Sequence, residues 1–531
     1  MRMIDEQEWL LLNAEKKALE IQVKAAETQR DELARSASFQ FGLLIKNSFL
    51  RPGMHTLRLP IDLYRLLRGT LPLLSGDREV TTVDACPLLP MAMTDYQLTH
   101  ASIVRDGAQR PLTIACILDS LTAASFAYEA NLLMPTPGIA WKAAFEEHSP
   151  DLFFVESYWQ GNDRSWGKCS DSSEKLKALF EILNYCKEKS IPTVFWNKED
   201  PVSFEIFAPI AQFFDHVFTS DANTIARYAQ EYSIQATALS FAASPAIHNP
   251  LEKDERVNEA VFAGRYFRKY PDRCRDFDFI CNLLESLGID YVIYDRNANL
   301  PAGTSKITAY PDKYRSKILR ALPPSEMWRV NKGYKYQINV NSVQNSPTMF
   351  ARRVYEALAS GAIVLSNYSL GVEELFGDTV LIFDEKTDST ARLEAIREND
   401  RVYHGTVING VRAVFDKHTY AHRLKDICDV AGIDAMVAYK PVVAVVDVTS
   451  EEEFRTLREH VENQLYPHAQ ILVRSANEDH FGPIYCGDQR SIIAVDGNSE
   501  SHIILSLEQL AGRRCLSDIA YGLSDLTGSM A

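Results

Sequence analysis

A helix that leads directly into a strand is predicted by one continuous segment, Ser346-Pro-Thr-Met-Phe-Ala-Arg-Arg-Val-Tyr-Glu-Ala-Leu-Ala-Ser-Gly-Ala-Ile-Val-Leu365. Pro347 with Thr348 is typical of a helix start, and Gly361 is typical of a helix end. The apolar run that follows Gly361 reads as a buried strand. A helix joined this closely to a buried strand indicates an α/β fold with a parallel sheet.

The same alternation of short apolar runs and helical stretches continues on both sides of this segment. The first set of predicted strands covers 112–119, 151–156, 192–197, 216–219 and 236–241. The second set covers 259–264, 290–295, 336–340, 362–366 and 379–383. Predicted helices include 173–189, 223–231, 275–287 and 349–360. We therefore expect two successive doubly wound, Rossmann-like units, 111–250 and 251–432, joined by a hinge at Asn249–Pro250.

The two ends of the chain differ from this central part. Residues 433–531 predict a small third α/β unit, with strands at 442–448, 470–473 and 491–495 and helices at 451–464 and 503–510. Residues 1–35 predict a helix whose seam repeats every seven residues at Ile4, Leu11, Ala18 and Ala25, with Ala14 and Ile21 on the same side. Such a short seam is compatible with a weak coiled-coil homodimer or with a helix that lies on the body of the protein.

Residues 36–110 form a separate region, in which 36–69 is basic and amphipathic and 70–110 reads as an irregular connector. Apolar residues in 36–69 alternate with Lys46, Arg51, Arg58, Arg65 and Arg68, and Asp62 is the only acid. One interpretation is a peripheral contact with anionic lipid, and the other is a docking segment against the protein's own first unit.

Composition narrows the class of protein. The 531 residues predict several domains, and the formal net charge of -15 argues against nucleic acid as a partner. The nine cysteines show no C-x-x-C spacing and read as reduced thiols. The charged N-terminus is unlike a signal peptide, and no apolar run is long enough to span a membrane. These features predict a cytoplasmic protein, and the Cys and His spacings predict no metal site.

Ligands of open parallel sheets bind beyond the carboxyl ends of the strands. In the first unit, the polar residues at these ends are mainly carboxylates, amides and Trp, which suit a polar acceptor. Glu156 and Asp200 are the candidate bases for deprotonating a hydroxyl, and the alternative is that they bind substrate hydroxyls or cap helices. The remaining acceptor-side candidates are Asp119, Trp159, Asn162, Asn197 and Glu199.

In the second unit the strand ends carry Gly, Arg and amides, which suit an anionic sugar donor. The candidates are Gly264, Arg265, Lys269, Thr348, Arg353 and Glu356. The start of the helix at 349 would offer free N–H groups to a diphosphate, and Glu356 can accept both hydroxyls of a ribose. The alternative is that Arg353 and Glu356, three residues apart, form only a surface salt bridge. Two such edges facing across a hinge favour a two-substrate transferase.

The segment Tyr355-Glu-Ala-Leu-Ala-Ser-Gly-Ala-Ile-Val-Leu365 resembles the donor-site segment of GT-B glycosyltransferases. The chain is more closely similar to the CgeB-like, spore-maturation type, in which an Arg stands three residues before the Glu. Val261-Phe-Ala-Gly-Arg265, Glu373-Glu-Leu-Phe376, 150–162 and 193–201 also resemble segments of that family. The resemblance covers about 111–430. It implies a GT-B fold and sugar transfer from a nucleotide sugar to a glycan or lipid-linked glycan, in surface polysaccharide synthesis.

The sequence departs from one pattern of that fold. Many retaining enzymes carry a second Glu eight residues before the one matched by Glu356, and this chain has Thr348 there. The stereochemical outcome is therefore left open. The alternatives are a sugar-nucleotide epimerase of the same fold and a non-catalytic glycan-binding or scaffold protein.

The third unit resembles the opening of a GT-A, family-2-like domain through Pro441–Asp447, Leu457–Pro467 and Ile471–Val473. Asp496 stands alone where that family carries Asp-x-Asp, so we expect a degenerate, non-catalytic unit. The resemblance of 111–430 to GT-B glycosyltransferases, together with the missing Asp-x-Asp, implies an enzyme that needs no metal and no cofactor. The same resemblance implies that it works in the cytoplasm at the inner face of the membrane.

Overall fold

The computed structural model describes residues 7–8, 10–16, 19, 110–138, 140–157, 160–251, 255–298, 308–323, 326–384, 387–438 and 450–462. It also describes the backbone of six short strands at 88–89, 102–105, 442–448, 469–475, 484–486 and 503–505. Within these residues no helix is both long and apolar enough to cross a lipid bilayer.

The first unit is built on a sheet with the order β1-β4-β3-β5-β6-β7-β8. Strands β3 to β8 run parallel, and β1 is antiparallel to β4. The strands of this sheet are β1 (Leu88–Leu89), β3 (Thr113–Ile117), β4 (Asn131–Leu133), β5 (Leu152–Glu156), β6 (Thr193–Asn197), β7 (His216–Thr219) and β8 (Ala236–Ala238). The strand β2 (Ser102–Arg105) belongs to a separate two-stranded sheet. The helices are α1 (Ser120–Phe126), α2 (Ala140–His148), α3 (Ser173–Lys189), α4 (Phe204–Ala211) and α5 (Ile225–Tyr232).

The central strands of this sheet are apolar throughout because both of their faces are covered. Every residue of β3, β5 and β6 is buried. One face packs on a cluster that contains Phe153, Leu179 and Phe195, and the other packs on a cluster that contains Phe154 and Trp196. Continuous burial of this kind is the reason that the strand predictions were accurate here. The three-residue β4 was missed, because so short a strand leaves little pattern in the sequence.

The second unit has a parallel sheet with the order β11-β10-β9-β12-β13-β14. Its strands are β9 (Val257–Gly264), β10 (Tyr291–Asp295), β11 (Ile318–Leu319), β12 (Tyr334–Asn339), β13 (Ile363–Ser366) and β14 (Leu381–Ile382). Its helices are α6 (Pro271–Ser286), α7 (Trp328–Gly333), α8 (Arg353–Ala359), α9 (Leu370–Phe376), α10 (Thr390–Glu398) and α11 (Asp400–Phe415). The predicted class, two Rossmann-like doubly wound units, is confirmed.

Helix α8 starts later than the sequence predicts. The prediction of a helix from 349 to 360 is wrong at its beginning, because α8 runs from Arg353 to Ala359. Residues 345–352 form a loop instead, and the Asn341 amide oxygen accepts the Ala351 N–H at 2.9 Å. Pro347 and Thr348 therefore do not start the helix, and Arg352 stands at its N-cap.

Two segments from outside 111–250 pack on the first unit. Helix α12 (Tyr420–Val430), which lies in the range predicted for the second unit, buries Tyr420, Leu424 and Ile427 in the first unit's core. The strand β15 (Ala435–Ala438) that follows α12 pairs with β2. The chain thus crosses between the units twice, near Asn249 and again near Thr419.

The N-terminal helix also lies on the first unit. Ala14 is buried in the first unit's core, and Leu10 and Leu11 pack against the same cluster. Leu11 and Ala14 belong to the predicted heptad seam, so this part of the seam is already covered by the protein's own body. The packing favours the second of the two interpretations, and a dimer through 1–35 stays a prediction. The basic segment 36–69 lies outside the described residues.

The third unit contains a small sheet with the order β18-β17-β16-β19. Its elements are β16 (Val442–Val448), α13 (Glu451–Glu462), β17 (Ala469–Ser475), β18 (Ile484–Cys486) and β19 (Ile503–Leu505). The predicted helix at 503–510 is wrong in its first residues, because β19 pairs in parallel with β16. Ile503 and Ile504 are β-branched, which favours a strand over a helix. The predicted strand at 491–495 lies outside the described residues.

Candidate functional site

The carboxyl edge of the first sheet is organised around one lysine between two carboxylates. The Lys198 Nζ lies 2.9 Å from the Asp119 Oδ2 and 2.8 Å from the Glu156 Oε1. The three residues follow or end β3, β5 and β6, which are neighbours in the sheet, so the parallel strands bring them together. The sequence placed Asp119, Glu156 and Lys198 at this edge, because each lies at the end of a predicted strand, but only Asp119 and Glu156 were chosen as candidates.

Burial controls the ionisation of this group. Burial raises the pKa of Glu156, and the charge of Lys198 only partly offsets this effect. Burial by itself lowers the pKa of Lys198, but Glu156 and Asp119 outweigh burial and raise the pKa overall. The Glu156 Oε1 also accepts the Asp119 N–H, whereas the Glu156 Oε2 has no hydrogen-bond partner among the described residues. A carboxylate with one unsatisfied oxygen and a raised pKa is suited to take up a proton.

Asp119 and Asn162 also shape a loop at this edge. The Asp119 Oδ1 accepts the N–H groups of Gln160 at 3.2 Å and Gly161 at 3.1 Å. The Asn162 side-chain amide donates to the carbonyl oxygens of Cys116 and Pro135, both at 2.8 Å. Asn162 is buried and its amide is used internally, so it supports the loop. The Asp119 side chain remains 22% exposed and can be reached by a ligand.

Asp200 and Asn197 belong to a closed internal network. The Asp200 Oδ2 accepts the hydroxyls of Thr219 at 2.7 Å and Tyr228 at 3.0 Å, and its Oδ1 accepts the Asn197 amide at 2.7 Å. Burial raises the pKa of Asp200 to about 6. Both carboxylate oxygens already have partners, so the network favours the alternative that Asp200 is structural over its predicted role as a base.

The last two acceptor-side candidates are less well placed. Glu199 is partly buried beside Lys198, and its N–H donates to the Asn197 Oδ1 at 3.3 Å. Trp159 lies outside the described residues. Their roles stay predictions.

The carboxyl edge of the second sheet is organised around arginines. The Arg353 guanidinium donates to the Ala263 carbonyl at the end of β9 and lies over the Phe262 ring, 4.9 Å from its centroid. Gly264 makes room for the Phe262 ring under this guanidinium, since a Cβ built on Gly264 would lie 2.8 Å from the Phe262 Cζ. The alternative of a surface salt bridge between Arg353 and Glu356 is therefore wrong, because the Arg353 side chain turns toward the end of β9.

Glu356 pairs with the other arginine of this segment. The Arg352 Nε lies 2.5 Å from the Glu356 Oε1, and the His248 Nε2 lies 3.9 Å from the same oxygen. Burial alone raises the pKa of Glu356, but Arg352 and His248 outweigh burial and lower it overall. The Glu356 carboxylate is thus ionised, and its side chain is 14% exposed.

Three further arginines surround the loop that follows β9. The Arg273 Nη1 donates to the Arg265 carbonyl at 3.1 Å, and the Arg296 N–H donates to the Gly264 carbonyl at 3.2 Å. The Arg265 Nε is enclosed and has no hydrogen-bond partner among the described residues. Burial lowers the pKa of Arg296, and so do the charges of Arg265 and Arg352. Mutual repulsion of this kind indicates that positive charge is concentrated here, as an anion site requires.

Sequence reasoning recovered only part of this arginine group. Arg265 and Arg353 were chosen as donor-binding candidates. Arg273 and Arg296 were recognised at the strand ends, and Arg352 beside Arg353, but none of the three was chosen. Lys269, which was predicted, is exposed, and its Nζ lies over the Tyr270 ring at 5.6 Å from the centroid.

Thr348 makes contacts other than those predicted. Its hydroxyl donates to the Ser220 carbonyl at 2.9 Å and accepts the Ala222 N–H at 2.8 Å. Both partners belong to the first unit. The hydroxyl therefore connects the two units, and the predicted contact of Thr348 with the sugar donor stays a prediction.

The two edges face each other around Tyr420, which begins α12. Burial raises the pKa of the buried Tyr420 to about 12. The charges of Arg352 and Glu356 act on this side chain from the second unit, and those of Lys198 and Glu156 act from the first. Tyr420 thus marks where the acidic edge and the arginine edge approach each other. Among the described residues no group of three or more His, Cys, Asp and Glu could hold a metal ion.

One part of the chain, which contains most of the arginine edge, matches a known protein family. Residues 277–429 match a family model described as Glycosyl transferase-like, a range that contains Arg296, Arg352, Arg353 and Glu356. Residues 277–429 are therefore similar to that glycosyltransferase-like family. No curated protein matches the chain.

Solved structures show weaker similarity. An alpha-glucosyltransferase in complex with UDP and a 13-mer DNA is 12% identical, covering 61% of this chain and 100% of its own, with a TM-score of 0.45. WaaG, a glycosyltransferase involved in lipopolysaccharide biosynthesis, is 11% identical, covering 60% and 100%, with a TM-score of 0.36. A glycosyltransferase from Rickettsia africae is 10% identical, covering 61% and 98%, with a TM-score of 0.39. Similarities this weak assign no activity to the chain.

Proposed function

We propose that the chain is a glycosyltransferase that moves a sugar from a nucleotide diphosphate donor onto a glycan acceptor. The observation that carries this proposal is the arginine edge of the second sheet. Two of its arginines, Arg352 and Arg353, hold one carboxylate, Glu356, in the ionised form, and all three lie in the range that matches the glycosyltransferase-like model.

The proposed donor site uses this charge arrangement. The diphosphate would bind Arg265 and Arg296, whose positive charges are concentrated without a salt bridge among the described residues. Glu356 would accept hydrogen bonds from the ribose hydroxyls, since Arg352 keeps the carboxylate ionised and in place. The same arginines would stabilise the negative charge that develops on the leaving diphosphate, so we propose that transfer needs no metal and no cofactor.

The proposed acceptor site is the edge formed by Asp119, Glu156 and Lys198. The Glu156 side chain is enclosed in this conformation, so this edge would have to open for the acceptor hydroxyl to reach the Glu156 Oε2. The Oε2 would then take the proton of the acceptor hydroxyl, and the hydroxyl oxygen would bond to the anomeric carbon of the donor sugar. The bond between that carbon and the diphosphate oxygen breaks, and the nucleoside diphosphate leaves with the electron pair. Glu156 is preferred over Asp200 because only Glu156 keeps an oxygen without a partner.

A surface glycan or lipid-linked glycan is the acceptor class that we propose, supported by the family resemblance of 111–430. Such an acceptor would place the enzyme at the inner face of the membrane, with 36–69 as the contact. We expect the full chain to sediment with anionic vesicles at low salt. A chain that never sediments with them would contradict this part of the proposal.

The main test is calorimetry with uridine and guanosine diphosphates, followed by an assay of sugar transfer. We expect one nucleotide to bind, and Glu356→Ala to weaken binding by about 2–4 kcal/mol because it removes hydrogen bonds to a charged group. The exposed Glu374 lies in the same unit, so Glu374→Ala is a matched control with unchanged affinity. Conversion of the nucleotide sugar without acceptor would support the epimerase alternative, and absence of nucleotide binding would support the scaffold alternative.

A further inference from the structure

The two units touch through a pair of loops beside the arginine edge. One loop, Ser220–Asn223, follows β7 in the first unit. The other, Asn345–Thr348, precedes α8 in the second unit. We call these contacts the inter-unit clasp. It lies at the carboxyl ends of the strands, where the ligands of both sheets are expected.

The clasp consists of side-chain hydrogen bonds that cross between the units. The Thr348 hydroxyl both donates to the Ser220 carbonyl at 2.9 Å and accepts the Ala222 N–H at 2.8 Å. The Asn223 side-chain amide donates to the Asn345 carbonyl at 3.0 Å. Thr348 thus uses its hydroxyl as donor and acceptor at once, which fixes the position of the loop.

A second connection is buried. The Ser346 hydroxyl donates to the Asp221 Oδ1 at 2.6 Å, and both residues are buried. The Ser346 Oγ also accepts the Met349 N–H at 2.9 Å. The Asp221 Oδ1 also accepts the Asn223 N–H at 3.1 Å. Each of the two side chains therefore orders its own loop while binding the other loop.

The clasped loop continues directly into the arginines of the proposed donor site. Residues 349–351 alone separate Thr348 from Arg352. On the opposite side the loop meets α9, because a Cβ built on Gly371 would lie 2.6 Å from the Pro347 carbonyl oxygen. The loop is thus held between the first unit and α9, and Arg352 and Arg353 extend from its end.

We propose that Asp221 and Thr348 are positioning residues for nucleotide binding, because the inter-unit clasp holds the loop that presents Arg352 and Arg353. This inference rests on the proposed function for its ligand, a nucleoside diphosphate. Its consequence is that a residue of the acceptor-side unit controls affinity for the sugar donor. A pre-ordered loop binds more tightly because less ordering remains to be done on binding.

The first experiment measures nucleoside diphosphate affinity in the full chain by calorimetry. Thr348→Val keeps the side-chain shape but loses both hydrogen bonds, and we expect affinity to fall about tenfold. Thr348→Ser keeps the hydroxyl and should restore affinity to within about twofold of the wild type. The matched control is Thr406→Val, since the Thr406 hydroxyl donates to the Val402 carbonyl of its own helix, α11, at 2.8 Å and makes no contact with the clasp among the described residues. It should leave affinity unchanged.

The second experiment moves to the other unit. Asp221→Ala removes the acceptor of the Ser346 hydroxyl, and we expect a similar loss of affinity. Asp221→Asn retains an oxygen that can accept the Ser346 hydroxyl and should restore affinity. By thermodynamic reciprocity, the nucleotide should raise the melting temperature less in Thr348→Val and Asp221→Ala than in the wild type.

The outcomes separate the two proposals. If the wild type binds nucleoside diphosphates and both Thr348→Val and Asp221→Ala bind them equally well, the positioning role is wrong while the proposed donor site stands. If Thr348→Val weakens binding but Asp221→Ala does not, Thr348 contacts the nucleotide directly and the inference is overturned. If the wild type binds none, the proposed function fails first and the positioning role fails with it.

Discussion

The two units are both built on parallel sheets, but the charged side chains at the carboxyl edges of the two sheets differ. Within the part of the chain that the structure describes, they are mostly paired in the first unit and mostly unpaired in the second. In the first unit, Lys198 is enclosed between Asp119 and Glu156, and Asp200 is satisfied by hydroxyls and an amide. In the second unit, Arg265 keeps an enclosed Nε without a partner among the described residues, and Arg296 is repelled by its neighbours.

This difference indicates which edge stabilises the fold and which edge is prepared for an anion. A buried lysine that is paired with two carboxylates leaves no positive charge free to attract an anion, and the integrity of this group contributes to stability. Concentrated cations destabilise the free protein and are retained where a ligand neutralises them. The following predictions test this division, from the largest expected effect to the smallest.

Lys198→Met is expected to have the largest effect, on stability. It leaves two carboxylates in a buried site without their cation, and removal of one partner of a buried pair costs about 3–5 kcal/mol. The free energy of unfolding can be followed by tryptophan fluorescence, since Trp166 and Trp196 are buried in the first unit. Lys177→Met, at an exposed position on α3, is the control and should change stability by less than about 0.5 kcal/mol. Unchanged stability of Lys198→Met would contradict the conclusion that the first edge stabilises the fold.

His248→Gln is expected to reduce the acid sensitivity of the second edge. Burial lowers the pKa of His248 to about 4, from about 6.5 in the unfolded chain. As the pH falls, His248 therefore takes up a proton in the unfolded chain at a higher pH than in the folded protein. The stability that is present above pH 6.5 is lost as the pH falls toward 4. This single group accounts for about 2 kcal/mol between pH 7 and pH 5.

Urea denaturation at pH 7 and pH 5 measures this effect. His248→Gln should lose about 2 kcal/mol less than the wild type over this interval. His418, whose pKa is lowered to about 3 by burial, and His422, whose pKa burial lowers to about 4, titrate in the same direction and remain in both proteins. Equal losses in the two proteins would show that His248 is not buried as a neutral group.

Arg265→Gln is expected to separate affinity from stability in the second unit. It removes a charged hydrogen-bond donor from the proposed diphosphate site, which should weaken nucleotide binding by about 1.5–3 kcal/mol. Stability should change little, because the loss of repulsion with Arg296 is offset by the loss of attraction to Asp295, whose pKa burial raises and Arg265 lowers. Lys269→Ala is the comparison, and this exposed side chain should contribute less than about 1 kcal/mol to binding. A larger loss with Lys269→Ala than with Arg265→Gln would reverse our placement of the diphosphate.

Most strands of the two central units were predictable because their signal is local. The runs at β5 and β6 are apolar at every buried position, so their type and limits follow from the residues themselves. The strand β4 and the start of α8 were missed or misplaced, since a short strand and a loop with a proline leave weak local patterns. The predicted helix at 503–510 failed for a related reason, because β19 depends on its pairing with β16.

The candidate site was predictable only as a set of strand ends. The positions of Asp119, Glu156 and Arg265 follow from the rule that ligands bind at the carboxyl ends of parallel strands. Arg353 and Glu356 were selected because they lie near the start of a predicted helix and in a segment that resembles a donor site. The partners of these residues follow from neither signal. Lys198 lies 79 positions from Asp119, and the salt bridge between them exists because three strands are neighbours in the sheet.

Residue types and their periodicity were enough to specify two parallel α/β units, since each buried strand and amphipathic helix is encoded within a few consecutive residues. Tertiary structure decided which charges are paired and which are left over. Arg353 turns to Ala263 instead of Glu356, and Thr348 joins the units, because these contacts connect residues 90 and about 128 positions apart. Side-chain direction at such distances depends on the packing of whole elements, and no local pattern contains it.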